Sequence, residues 1–208
     1  MYTLSFVLYV ALVCCALIFV RLYFLIFMKR HKPREKSSSV KTMIILGSGG
    51  HTAEMLRIVQ RLNVKNYSPR VYVHAQTDKL SSEKVRDLET GNKDYNIVDI
   101  YRSREVRQSY FTSVWTTVLA TLNSISILWR ERPELILCNG PGTCVPLCVV
   151  AFLLKALCFS QTVIVFIESF CRVKTFSLTG KILYYLADYV IVQWAYLSKP
   201  VYSRSIFL

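Results

Sequence analysis

From residue 42 onward the chain alternates short apolar or β-branched runs with segments of helical spacing, and that alternation restricts it to a small set of folds. The runs 42–46, 70–74, 96–100, 135–138, 162–167 and 189–192 are short, rich in Val, Ile, Leu and Tyr, and read as buried strands. Between them, 51–63 places Met55, Leu56, Val59 and Leu62 at helical spacing. The segment 110–130 sets Val114, Val118, Leu122, Ile125 and Trp129 on one helix face, and Pro133 stops it. Two further helices are predicted over 144–159 and 176–187. The first is apolar all round except for Lys155, and its 16 residues are short for a second membrane span, so it reads as a buried or membrane-skimming helix in preference to a span. The fold class expected is α/β, a Rossmann-like parallel sheet with helices on both faces.

A length of 208 residues allows one such domain and an appendage. The appendage is an apolar run from 4 to 27 whose 24 positions contain a single charge, Arg21. At about 1.5 Å per helical residue it crosses a hydrocarbon layer of roughly 30 Å. A cleaved signal peptide is the competing reading. It lacks support, because no positive segment precedes residue 4, the run is too long and no small-residue cleavage pattern follows. Arg21, about two turns from the basic end, is placed to snorkel toward that interface. The boundaries expected are an anchor over 1–28, a basic linker over 29–41 and the folded domain over 42–208.

The charge balance, 26 Lys+Arg against 13 Asp+Glu, fits an anionic surface or ligand. Lys29, Arg30, Lys32, Arg34, Lys36 and Lys41 stand beside the apolar run, which points to phospholipid headgroups. No RNA-binding signature or aromatic-basic interleaving supports nucleic acid. The positive flank keeps everything after Lys29 cytosolic. Seven cysteines, an odd number without a CxxC pair, read as reduced core residues and not as a disulfide frame or zinc site. On the cytosolic side the sequon Asn66-Tyr67-Ser68 stays unglycosylated.

The residues with chemical meaning cluster at strand ends. Gly47-Ser48-Gly49-Gly50-His51-Thr52-Ala53-Glu54 lies between the first strand and the first helix, where free backbone N–H groups and a helix dipole suit phosphate. It is neither GxGxxG, which needs glycine where Thr52 stands, nor a P-loop. A plain glycine turn is the bland reading of the same residues. His51 fits a base toward an acceptor hydroxyl, a phosphate ligand, or a simple cap of the helix. Asn139-Gly140-Pro141-Gly142-Thr143 follows the 135–138 strand, and in an open parallel sheet such turns converge on one cleft. Glu168-Ser169-Phe170-Cys171-Arg172 marks a third strand end. Ser103-Arg104-Glu105-Val106-Arg107-Gln108-Ser109 marks a fourth, with arginines suited to diphosphate oxygens. No Asp-x-Asp pair and no metal-ligand spacing occurs, so metal-independent chemistry is expected and no cofactor is implied.

In that order and behind an apolar N-terminus, these four motifs resemble the membrane-anchoring subunit family of the dolichol-pathway UDP-N-acetylglucosamine transferase, which adds the second GlcNAc to dolichyl-diphosphate-GlcNAc. Leu178-Thr179-Gly180-Lys181-Ile182-Leu183-Tyr184 and Val192-Gln193-Trp194 also look like family sequence. The resemblance implies the acceptor half of a split B-type glycosyltransferase, similar to the bacterial enzyme that builds the peptidoglycan lipid precursor. A soluble UDP-GlcNAc-binding catalytic subunit would be its partner, and the endoplasmic reticulum membrane its location. On that reading Gly47, Ser48, Gly49, Gly50, Thr52, Arg104, Asn139, Gly140 and Gly142 hold the acceptor diphosphate, with His51 and then Glu168 as candidate catalytic groups. After Trp194 the sequence departs from the family pattern, which puts partner docking in question. A non-catalytic membrane receptor for a soluble enzyme is the alternative. A nucleotide-dependent reductase ranks low, because 70–76 offers no acid to hold a ribose.

Overall fold

The computed structural model describes residues 2–27, 39–101, 110–140, 142–198 and 205–207, with side chains for 5–27, 39–101, 115–140 and 142–197. Helix α1 spans Tyr2–Phe27. The elements β1 (Thr42–Ile45), α2 (Gly50–Gln60), β2 (Arg70–Ala75), α3 (Lys79–Leu88), β3 (Tyr95–Ile100), α4 (Tyr110–Glu131) and β4 (Leu135–Asn139) follow. Then come α5 (Cys144–Ala156), β5 (Val163–Ile167), α6 (Leu178–Leu186), β6 (Tyr189–Val192), a 3-10 turn (Ala195–Ser198) and β7 (Ser205–Phe207).

The strands form one sheet in the order β3-β2-β1-β4-β5-β6-β7, with every pair parallel. All six strands read from the sequence are present. Besides the 3-10 turn, two elements were not foreseen. In α3 only Ser81 and Val85 are buried, too little apolar signal to mark a helix, although Asp78 caps it by accepting from the Ser81 amide at 3.3 Å. In β7, three residues pair with β6 from Val190↔Ser205 to Val192↔Phe207.

Side chains alternate between the two sheet faces. Met43 and Ile45 point into a core shared with α4, α5 and α6, while Ile44 and Leu46 join Met55, Leu56 and Val59 of α2 and Val85 of α3. Full burial of each such aliphatic side chain contributes about 1.5–3 kcal/mol. Helix α5 is largely buried and ends at Ala156, three residues earlier than expected, where the left-handed Cys158 (φ 65) turns the chain. Helix α6 starts at Leu178, because Ser177 caps it by accepting from the Gly180 amide at 2.9 Å.

Helix α4 is rotated from the face its periodicity suggests. Ala120, Ser124, Ile127 and Leu128 face inward, and the predicted stripe of Val118, Leu122, Ile125 and Trp129 faces outward; the side chain of Val114 lies outside the described residues. Both stripes are apolar, and the small Ala120 and Ser124 let the backbone of α4 approach the domain closely.

Cys138, Cys144 and Cys148 are core residues, with Cys138 and Cys148 sulfurs 3.7 Å apart; Cys14, Cys15, Cys158 and Cys171 are exposed thiols, which corrects the expectation for those four. The Arg21 guanidinium does not reach toward water. It donates to the Lys155 carbonyl at 2.9 Å, which ties the end of α1 to α5. Lys155 itself pairs with Asp188 at 2.6 Å. On the far side of the sheet, Arg70 holds Glu89 at 2.8 Å, with the Tyr72 hydroxyl and Asn92 also donating to that carboxylate.

Candidate active site

Strands β1 and β4 are neighbours, and the chain leaves their carboxyl ends toward helices on opposite faces. Adjacent loops that diverge in this way open a crevice at the point where strand order reverses. The two glycine turns meet there. After β1, Ser48, Gly49 and Gly50 are exposed and Gly49 takes a positive φ of 61°, a backbone that glycine tolerates. The start of α2 has no side-chain cap and no acid in its first turn, so its amides face the crevice with the positive end of the helix dipole.

His51 reaches across this crevice. Its Nδ1 lies 2.9 Å from Asn139 Oδ1, and its ring rests on Gly140, where φ is 57° and a β-carbon would come within 2.5 Å of the imidazole. An amide oxygen only accepts, so Nδ1 donates this bond, and in the neutral ring that tautomer keeps the lone pair on Nε2. Asn139 is buried at the end of β4 and Gly142 is exposed beyond it, while Pro141 lies outside the described residues.

Two predicted residues sit differently from expectation, and one lies outside the described residues. Thr52 is buried, and its hydroxyl donates to the Gly47 carbonyl and meets Ser81 Oγ at 2.7 Å, so it braces the glycine turn from behind and does not face the crevice. Glu168 is fully buried. Its oxygens accept from the amides of Ser169 (3.1 Å) and Ser177 (3.0 Å) and from the Ser177 hydroxyl (3.1 Å), at the start of α6. That position makes it the brace of the β5 turn. Arg104, with the rest of its motif, lies outside the described residues.

Sequence reasoning missed the group that joins these turns. Glu54 Oε1 accepts from the Phe170 amide at 2.6 Å and from Gln193 Nε2 at 3.0 Å, and Oε2 stands 4.0 Å from His51 Nδ1. Burial pushes its carboxyl pKa up, but hydrogen bonds from Asn139, Phe170, Ser169 and Gln193 outweigh that and hold it below the usual carboxylate range. One signal was available, since Glu54 is three residues after His51 and so shares its helix face. Gln193 also donates to the Glu168 carbonyl at 3.3 Å, and Trp194 Nε1 to the Phe170 carbonyl at 2.7 Å. The ends of β1, β4, β5 and β6 are thus one hydrogen-bonded unit.

The crevice widens into a cleft of about 1340 Å³. Leu137, Val165, Ile167 and Ile191 line its floor, and Arg57, Arg61 and Arg172 stand at its rim, exposed and without an ion-pair partner among the described residues. The floor is the β4-β5-β6 part of the sheet face that carries α2 and α3. The helices beyond β4 pack on the opposite face, so the floor is covered only in part: Leu137, packed with α2, and Ile167 are buried, while Val165 and Ile191 are half-buried.

An all-parallel sheet with paired glycine turns at its reversal point defines this domain as Rossmann-like α/β. The crystal structure of Acinetobacter baumannii MurG matches it with a TM-score of 0.56 at 16% identity, over 74% of this chain. The chain spans 41% of that protein's length.

The family model described as "Oligosaccharide biosynthesis protein Alg14 like" matches residues 42–208, and the chain belongs to that family. The rat UDP-N-acetylglucosamine transferase subunit ALG14 (Rattus norvegicus) is 47% identical over 188 residues, 86% of each chain. The mouse subunit of the same name (Mus musculus) is 46% identical over 202 residues, covering 92% of this chain and 91% of its own.

Proposed function

We propose that this chain is the membrane-anchoring, acceptor-binding subunit of a heteromeric UDP-GlcNAc transferase, adding the second GlcNAc to dolichyl-diphosphate-GlcNAc on the cytosolic face of the endoplasmic reticulum. The observation that carries this reading is the contact of His51 with Asn139 and Gly140, which closes two glycine turns around one crevice. Helix α1 contributes the anchor: Ser5–Phe27 is long and apolar enough to cross a membrane. A tethered subunit and a lipid substrate then meet at high effective concentration.

In this mechanism the acceptor diphosphate rests on the amides of Ser48, Gly49 and Gly50 at the start of α2, with Asn139, Gly140 and Gly142 opposite and Arg104 as a further phosphate contact. His51 Nε2 takes the proton from the sugar 4-hydroxyl. The hydroxyl oxygen forms the new bond to the anomeric carbon with inversion, and the bond to UDP breaks, the leaving diphosphate keeping the electron pair. Asn139 fixes the tautomer this needs. Glu54 and Glu168 are positioning residues, joining His51 to the β5 and β6 turns and bracing them. The cleft floor, half-buried at Val165 and Ile191, with its arginine rim, fits a soluble catalytic partner that brings the UDP-GlcNAc site and an acidic complement.

Co-expression with candidate soluble subunits, assayed for a second sugar on a lipid-diphosphate-GlcNAc acceptor, tests this directly. His51→Ala is expected to lower turnover by at least about 100-fold while the complex still assembles. Full turnover with His51→Ala and with changes in both glycine turns would leave only a non-catalytic receptor.

A further inference from the structure

The structure assigns Phe170 to the acceptor: its exposed ring is a platform for the apolar face of the N-acetylglucosaminyl ring that carries the reacting hydroxyl. This rests on the acceptor reading proposed above, and goes beyond it by naming what holds the sugar as distinct from its diphosphate.

The first observation is an aromatic residue that is exposed yet held. Phe170 is 55% exposed beyond the carboxyl end of β5, and it is the one Phe, Tyr or Trp that lines the cleft among the described residues. A single exposed aromatic residue is ordinary on a protein surface. What sets Phe170 apart is that it is tied down from three sides. Its amide donates to Glu54 Oε1 at 2.6 Å, its carbonyl accepts from Trp194 Nε1 at 2.7 Å, and the Trp194 ring stands 4.9 Å from its own between centroids, tilted by 45°. A ligand that covers such a ring gains apolar contact with little ordering left to do.

The second observation identifies the occupant. Glu54, which holds the Phe170 amide through Oε1, has its Oε2 4.0 Å from His51 Nδ1, so one carboxylate joins the platform to the candidate base. In a GlcNAc diphosphate the diphosphate leaves C1, and the 4-hydroxyl lies across the ring. With the diphosphate on the amides at the start of α2 and the 4-hydroxyl at His51 Nε2, the pyranose lies between them, in the part of the cleft that Phe170 lines. The axial C–H bonds of a gluco-configured ring give it apolar faces, and these meet the negative face of an aromatic ring favourably. Arg172 supplies the polar complement. Its amide donates to the Ser169 carbonyl at 2.9 Å, closing the turn that carries Phe170, and its exposed guanidinium at the rim can donate to the hydroxyl and acetamido oxygens of the sugar.

The test uses the full chain reconstituted with its soluble partner and two lipids, dolichyl-diphosphate-GlcNAc and bare dolichyl diphosphate. Phe170→Leu keeps apolar bulk and removes the ring. It is expected to raise the KM for the sugar-bearing acceptor about 10-fold, while the KM for UDP-GlcNAc, the yield of complex and the thermal midpoint hold. Competition by bare dolichyl diphosphate should not change, since that lipid has no sugar to stack. Phe170→Tyr should bring the acceptor KM back to within about twofold of the unsubstituted chain. Phe170→Met repeats the loss of the ring with a different apolar shape, so a folding defect peculiar to leucine cannot imitate it. An unchanged acceptor KM in F170L and F170M overturns the platform. So does loss of the complex, which gives the ring to the protein partner, or a rise confined to the KM for UDP-GlcNAc, which gives it to the donor. An unsubstituted complex that adds no sugar to the acceptor overturns the acceptor reading and the platform with it.

Discussion

The imidazole of His51 occupies the space that a side chain on residue 140 would need: a β-carbon built there lies 2.5 Å from Cε1 and 2.7 Å from Nδ1. Glycine is required at 140 both by φ 57° and by this ring. Gly140→Ala is expected to expel His51 from Asn139 and cut turnover by about 10-fold or more, with a backbone cost of only about 1 kcal/mol. Acceptor turnover measured beside a thermal melt checks this. A melt that collapses, or turnover that holds, contradicts it.

Glu54 joins α2 to the β5 and β6 turns by charge-assisted bonds to the Phe170 amide and Gln193. Its replacement by alanine leaves two donors without an acceptor and is predicted to cost about 2 kcal/mol, or roughly 4–8 °C in midpoint for a domain of this size. Because His51 loses its neighbour, kcat should fall further than the melt alone explains.

A pH dependence follows from Glu89. Burial pushes its pKa up, but hydrogen bonds from Tyr72, Asn92 and Arg70, with the Arg70 charge, hold it below the usual range, while burial and Glu89 push the Tyr72 phenol up. A carboxylate with a depressed folded pKa contributes stability that is full above its unfolded value, about 4.3, and is lost as pH falls through the folded value. Melts of the detergent-solubilised chain should therefore drop in midpoint below about pH 4.3. In E89Q the midpoint should be lower at pH 7 and less steep in acid.

Lys155 is the one charge inside α5, and its ammonium meets Asp188, which also accepts from the Ile164 amide at 2.8 Å. Lys155→Met strands that carboxylate and is expected to cost about 3–5 kcal/mol. Combining it with D188N should recover much of the loss, a coupling that a double-mutant cycle measures.

The strands were legible because each is short, β-branched and bounded by turn residues, and the strand order put both glycine turns where Gly47–His51 and Asn139–Gly142 had suggested. Periodicity could find the stripe on α4 but not its direction. With apolar residues on both sides, the larger Leu122 and Trp129 outrank Ala120 and Ser124, yet small residues win the close contact. Thr52 and Glu168 looked like site residues because they stand within site motifs; that their polar atoms turn inward is a tertiary fact. Glu54 was hidden for the opposite reason, since its partners Phe170 and Gln193 lie 116 and 139 positions away.

The cleft floor of the β4-β5-β6 sheet, only half-buried at Val165 and Ile191, gives this chain a dependence on its surroundings that a self-covered domain lacks. Any molecule that caps it multiplies the ratio of folded to unfolded chain by a factor that grows with its own concentration. An uncapped copy shows folding sensors and proteases the apolar surface they survey. Cellular levels of this polypeptide should then track the supply of its cap, so that orphaned copies are cleared and stoichiometry is set after translation.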